Sequence, residues 1–198
     1  PPLGQRIAVA RDAAFAFAYE AVLDGWRAAG AEIVLFSPLA DEAPDGAADA
    51  VYLPGGYPEL HAGRLAAAGR FRAGLHAAAA RGAAIHGECG GYMALGNGLV
   101  DGDGARHEMA GLLALETSFA DRKLQLGYRE AVLLAAHPLG PAGARFRGHE
   151  FHYATVLREG PGQALFHAAS ARGEDLGATG LAAGTVSGSF VHLIDRAA

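Results

Sequence analysis

Ile85-His86-Gly87-Glu88-Cys89-Gly90-Gly91-Tyr92-Met93-Ala94-Leu95 passes from a short apolar run into a helical one through a Gly-x-Cys-x-Gly turn. That is the strand, sharp turn and helix of a nucleophile elbow. A nucleophile on such a turn sits in strained backbone, and glycine at the flanking positions lets the turn close without Cβ clashes. A helix starting at Gly90 would direct its amides and the positive end of its dipole at Cys89, which favours thiolate. An isolated cysteine is usually a small buried hydrophobe; the glycine pattern after a strand sets Cys89 apart.

Upstream of the elbow, short apolar runs alternate with helical stretches. Arg6 to Ala10 reads as a buried strand, and Phe15 to Ala29 as a helix with Phe15, Tyr19, Val22, Leu23 and Trp26 at spacings of three and four. Ala31 to Phe36 and Ala50 to Leu53 are further strands, and Pro58 to Arg81 is helical with a break near Gly69. Such a series predicts an α/β fold: a mainly parallel central sheet with helices on both faces and its active site at the carboxyl ends of the strands. Two Gly-rich turns, Pro54-Gly55-Gly56-Tyr57 and Gly87 to Gly91, occupy that edge. The second half reads as added strands at Leu112–Thr117, Tyr128–Ala135, Phe146–Val156, Ala164–Ala168 and Thr185–Ile194. The 198 residues contain no linker long enough to divide them, so one domain over 1–198 is expected.

Composition narrows the chemistry. Of 16 basic residues only Lys123 is a lysine, and Arg122-Lys123-Leu124 lacks the Gly-Lys-Ser/Thr of a phosphate-binding P-loop. A formal charge of −5 with scattered arginines argues against nucleic acid. The longest charge-free run, Leu176 to Ile194, holds four glycines with Ser, Thr and His, too polar for a bilayer span. One cysteine excludes an internal disulfide and suits a reducing cytoplasm, and the N-terminus has no signal-peptide stretch.

Acyl transfer needs donors for an oxyanion, and Gly55, Gly56 and Gly90 can bring bare backbone next to Cys89. A thiol also needs a base, for which nine histidines compete. His61, His76, His107, His137 and His167 lack a supporting pattern, and His86 reads as a packed strand residue. His192, closing the last strand, can reach the same sheet edge. In Arg147-Gly148-His149-Glu150-Phe151-His152-Tyr153 the histidines are three apart, not the i, i+4 of helical metal ligation, so no metal site is expected. On a strand Glu150 and His152 share a face and line a pocket.

Together Ile7 to Phe17, Leu53-Pro54-Gly55-Gly56-Tyr57-Pro58-Glu59-Leu60, Gly87 to Met93, Gly148 to Tyr153 and Gly188-Ser189-Phe190-Val191-His192 resemble the glutaminase domain of cobyrinic or hydrogenobyrinic acid a,c-diamide synthases, class I, triad-type glutamine amidotransferases with a flavodoxin-like fold. The resemblance implies Cys89 as nucleophile, His192 as its base and Gly55, Gly56 and Gly90 as the oxyanion and glutamine-binding region; Tyr57, Glu59, Glu150 and His152 are the candidate pocket residues beside them. Two residues after the base, where relatives carry Glu or His, stands Ile194; Asp195 is the third-member candidate the sequence offers.

The implied reaction is glutamine hydrolysis through a Cys thioester, feeding ammonia to amidation of the a- and c-acetate carboxylates of the macrocycle. ATP and magnesium are expected on an upstream synthetase domain of the same polypeptide, absent from these residues, with a corrinoid substrate there and no cofactor here. The resemblance leaves room for a homodimer. Rival expectations are a cobyric acid synthase-like or nickel-porphinoid glutaminase, an elbow-type cysteine hydrolase outside the amidotransferases, and a docking module without activity.

Overall fold

The computed structural model describes residues 1–197. The chain runs β1 (Arg6–Ala10), α1 (Glu20–Ala28), β2 (Glu32–Phe36), β3 (Ala50–Leu53), α2 (Ala62–Ala67), α3 (Gly69–Ala80), β4 (Ala84–Glu88) and α4 (Gly90–Leu95). There follow β5 (Gly98–Val100), β6 (Arg106–Glu108), β7 (Leu115–Ser118), β8 (Gln125–Leu133), β9 (Arg145–His152), β10 (Thr155–Glu159), β11 (Gln163–Ser170), β12 (Asp175–Ala183), β13 (Val186–Ser189) and β14 (Val191–Arg196).

Ten strands form one sheet in the order β14-β9-β8-β11-β12-β13-β4-β3-β1-β2. Its β2, β1, β3, β4 and β13 neighbours pair in parallel, as the alternating first half predicts, and everything beyond β13 is antiparallel. The remaining strands form a four-stranded sheet, β10-β7-β5-β6.

Period-two alternation sends the parallel strands' side chains to two apolar layers. Ile7, Val9, Ala50 and Tyr52 pack with Leu23 of α1 on one face. Ala8, Val51, Leu53 and Ile85 pack on the other with Leu65, Phe71, Leu75 and Tyr92 from α2, α3 and α4. Alanine and glycine let these layers approach closely; a Cβ on Gly91 of α4 would collide with the Leu53 carbonyl of β3.

Three expectations shift. The helix expected over Phe15–Ala29 forms only from Glu20. Phe15 is buried in the layer opposite Leu23, and the intervening backbone is held by the Asp12 carboxylate on Ala14 N–H and by the Phe17 amide on the Gly55 carbonyl. The run Thr185–Ile194 is two strands, because the chain leaves β4 at Phe190 and re-enters the sheet against β9. Phe146–Val156 likewise divides, β9 lying in the large sheet and β10 in the small one. No helix among the described residues is long and apolar enough to cross a membrane.

Candidate active site

The parallel pairing of β4 with β13 aligns Glu88 with Ser189, and the Cys89 amide donates to the Ser189 carbonyl (2.8 Å). Both strands therefore end at one level of the sheet edge, and the next residues of each step into the site. Cys89 takes φ 47° and ψ −101°, a conformation rare for a residue with a Cβ. Gly90 begins α4 immediately afterwards, so the elbow read from the sequence is the geometry observed.

Cys89 lines a cavity of about 190 Å³ with Gly56, Tyr57, Glu59, Met93, Phe119, Phe151 and His152. Glu150 stands behind this lining: its carboxylate meets His152 Nε2 (3.1 Å) and the Arg129 guanidinium (2.7 Å). Burial pushes Glu150 up, but those two hydrogen bonds outweigh it and hold the carboxyl below its ordinary range. His152 is spent structurally, its second nitrogen on the Ala154 carbonyl (3.1 Å) and its ring stacked on Phe190.

Gly56 and Gly90 bring their backbones together at the cavity floor, for a Cβ on Gly90 would stand 2.9 Å from the Gly56 nitrogen. The Cys89 thiol donates to the Phe151 carbonyl (3.8 Å), the Gly90 amide acts to lower the thiol's pKa, and the Gly56 amide has no acceptor among the described residues. Two amide donors thus lie next to the thiol, the arrangement an oxyanion needs. Gly55 sits against the imidazole of His192, whose β14 position places it beside this loop.

The electrostatics oppose the expected thiolate. Cys89 is 4% exposed, and burial pushes its thiol up to about 12; the Gly90 amide pulls the other way, with Glu59, Glu88 and Glu150 adding to the rise. A helix of six residues among three carboxylates does not reverse desolvation. His192 is lowered to about 4, chiefly by burial and then by His149 and His152. Its ring stacks on His149 with centroids 4.8 Å apart, and His149 in turn meets the Tyr19 hydroxyl. The resting pair is therefore neutral thiol and neutral imidazole.

Asp195 is exposed and lies beyond a register shift in the β14–β9 pairing, away from the His192 ring. The carboxylate that faces His192 is Glu88, whose Oε2 is 4.0 Å from Nδ1. The alternation His86, Glu88 along β4 signals a shared face opposite the apolar Ile85 and Gly87, but a buried acid one residue from the nucleophile reads as an elbow spacer unless its partner strand is known. No group of three or more His, Cys, Asp or Glu among the described residues is arranged to hold a metal ion.

Residues 6–197 match the CobB/CobQ-like glutamine amidotransferase domain. The chain is 65% identical over 197 residues to the hydrogenobyrinate a,c-diamide synthase of a Sinorhizobium species, covering 99% of this chain and 44% of that protein. It is 58% identical over 194 residues to the enzyme of the same name from Rhodobacter capsulatus, covering 98% and 44%. The chain thus spans less than half the length of these curated relatives. PurLQS from Thermotoga maritima has the same fold at 18% identity, with a TM-score of 0.66 over 96% of this chain and 87% of that one. A glutamine amidotransferase of Thermotoga maritima aligns at 16% identity and a TM-score of 0.58, covering 94% and 75%.

Proposed function

Because the chain belongs to the CobB/CobQ-like glutamine amidotransferase domain family, we propose that it hydrolyses glutamine to glutamate and ammonia through a thioester on Cys89. The observation that carries this reading is the strained Cys89 at the strand-to-helix turn, with the Gly56 and Gly90 amides beside it and His192 across Gly55.

Glutamine enters with its side-chain carboxamide next to the thiol. As sulfur attacks the carbonyl carbon, the thiol proton passes to Nε2 of His192, and the oxyanion takes the Gly56 and Gly90 amides. Collapse breaks the carbon–nitrogen bond, and ammonia leaves with the proton from His192. Water then attacks the thioester while His192 takes its proton, and glutamate leaves as the thiol reforms. Since the resting groups are neutral, His192 acts as a general base during attack and not as a standing ion-pair partner.

The identity to hydrogenobyrinate a,c-diamide synthases supports a specific destination for the ammonia. It amidates the a- and c-acetate carboxylates of hydrogenobyrinic acid at an ATP- and magnesium-dependent synthetase site, a site that the remaining length of those relatives would supply. The test is glutamate release by the chain with and without a synthetase segment, ATP and the corrinoid, against a Cys89→Ser control. Corrinoid-stimulated hydrolysis that disappears in the control is expected. Hydrolysis of peptides or small electrophiles with glutamine left intact would favour an unrelated cysteine hydrolase.

A further inference from the structure

Glu88 closes β4 and is 3% exposed, the one carboxylate in the buried set among the described residues. Four groups converge on it. The Tyr52 hydroxyl of β3 donates to Oε2 (2.8 Å), and the Leu193 amide of β14 donates to Oε1 (3.2 Å). His192 Nδ1 lies 4.0 Å from Oε2, and His86 Nε2 lies 3.8 Å from Oε1. Both of those nitrogens are enclosed and have no hydrogen-bond partner. The Tyr19 hydroxyl is the other titratable group near Glu88, apart from the adjacent Cys89.

We propose that Glu88 is the positioning residue of the nucleophile–base pair: it holds the proton of His192 on Nδ1 so that Nε2 is the nitrogen left free to accept the thiol proton. The inference rests on the glutaminase reading for its purpose, but not for its geometry. The Leu193 amide ties the carboxylate to the residue that follows the base, so carboxylate and imidazole move together. The 4.0 Å separation is longer than an ordinary hydrogen bond. Contacts of this kind are often long in the free protein and tighten when substrate binds and the base gains charge. Of the other carboxylates near the pair, Glu59 lines the cavity on the Cys89 side, Glu150 acts on His192 but is bound by Arg129 and His152, and Asp195 is exposed. A buried carboxylate held by two hydrogen-bond donors stabilises an imidazolium where a solvent-exposed one would be screened.

Glu88→Gln separates positioning from packing because the two side chains share a shape. With the Gln oxygen on the Leu193 amide, its NH₂ faces Tyr52 and Nδ1, and the proton of His192 is driven to Nε2. Nitrogen-15 NMR of histidine-labelled full chain, recorded at about pH 8.5 where the Glu88 carboxyl is ionised, reads the tautomer directly. The expected result is protonated Nδ1 in the wild type, protonated Nε2 in Glu88→Gln, and a fall in kcat for glutamine of about 100-fold or more with KM unchanged. Glu88→Asp, which keeps the charge, restores the Nδ1 tautomer and part of kcat, and stands in if Glu88→Gln does not fold. An unaltered tautomer and an unaltered kcat in the folded variants would overturn the proposal. A tautomer that follows Glu88 in a chain without glutamine turnover would overturn the glutaminase reading and leave the positioning role standing.

Discussion

Gly55 lies flat against His192: a Cβ at that position would collide with Cε1 of the imidazole and stand 3.2 Å from each ring nitrogen. The loop that carries the oxyanion donors therefore also sets where the base can sit. Gly55 has no positive φ, so alanine is allowed by the backbone and acts only through the ring. Gly55→Ala is expected to lower kcat for glutamine about 100-fold by displacing His192. Because the displaced ring is buried, the variant's thermal melt should fall as well, and kcat measured well below the melt, with the fold checked by circular dichroism, isolates the effect on the base.

The neutral resting pair predicts how Cys89 reacts. A thiol pushed up to about 12 stays protonated through the neutral range, and thiolate appears only as pH rises. Carbamidomethylation by iodoacetamide without substrate should accelerate about tenfold per pH unit between pH 7 and 10, with no plateau. A plateau below pH 8 would show a standing thiolate–imidazolium pair instead.

Glu88 also predicts a pH-dependent stability. Burial raises its carboxyl to about 7, against hydrogen bonds from Tyr52 and Leu193 that pull it down. Folding is favoured while the group keeps its proton, so this contribution is complete below about 4.5 and is lost as pH rises through about 7. The loss amounts to about 3 kcal/mol. The Tm of Glu88→Gln relative to the wild type should therefore increase from pH 5 to pH 8 in calorimetry. A difference independent of pH would mean that the carboxyl is not buried as an acid.

Two glycine substitutions should move stability in opposite directions. Gly91→Ala would drive a Cβ into the Leu53 carbonyl and is expected to destabilise the fold by about 3 kcal/mol or more. Gly25 lies inside α1 with open space around its Cα, so Gly25→Ala should stabilise by about 0.5–1 kcal/mol. Urea denaturation measures both.

The parallel half and the elbow were legible because each apolar run is short and closed by a charged residue, Gly or Pro, as with Ala50–Leu53 between Asp49 and Pro54, whose limits match β3. Phe15 and Tyr19 fit a helical period by coincidence, since nothing local reveals that Phe15 and Leu23 face opposite layers. β12 escaped because Leu176-Gly177-Ala178-Thr179-Gly180 offers little side chain to read, and its pairing with β11 forms it. Cys89, His192 and the glycine loop carry their chemistry in residue type and spacing. Glu88 does not: its role depends on Leu193 and His192 arriving from β14, a long-range pairing that no window around the elbow contains.

The Phe190 crossover between β13 and β14 has a consequence for the order of events on folding. Glu88 and Leu193 are joined across 105 positions of sequence. The cysteine turn is pinned by Ser189 at the end of β13, and its base arrives with β14, the strand that follows. Closing so long a loop comes late and slowly relative to local structure. A chain arrested before β14 would thus carry the strained thiol and the oxyanion loop without the imidazole that puts them to use. Completion of the last strand is in this sense the switch that arms the enzyme.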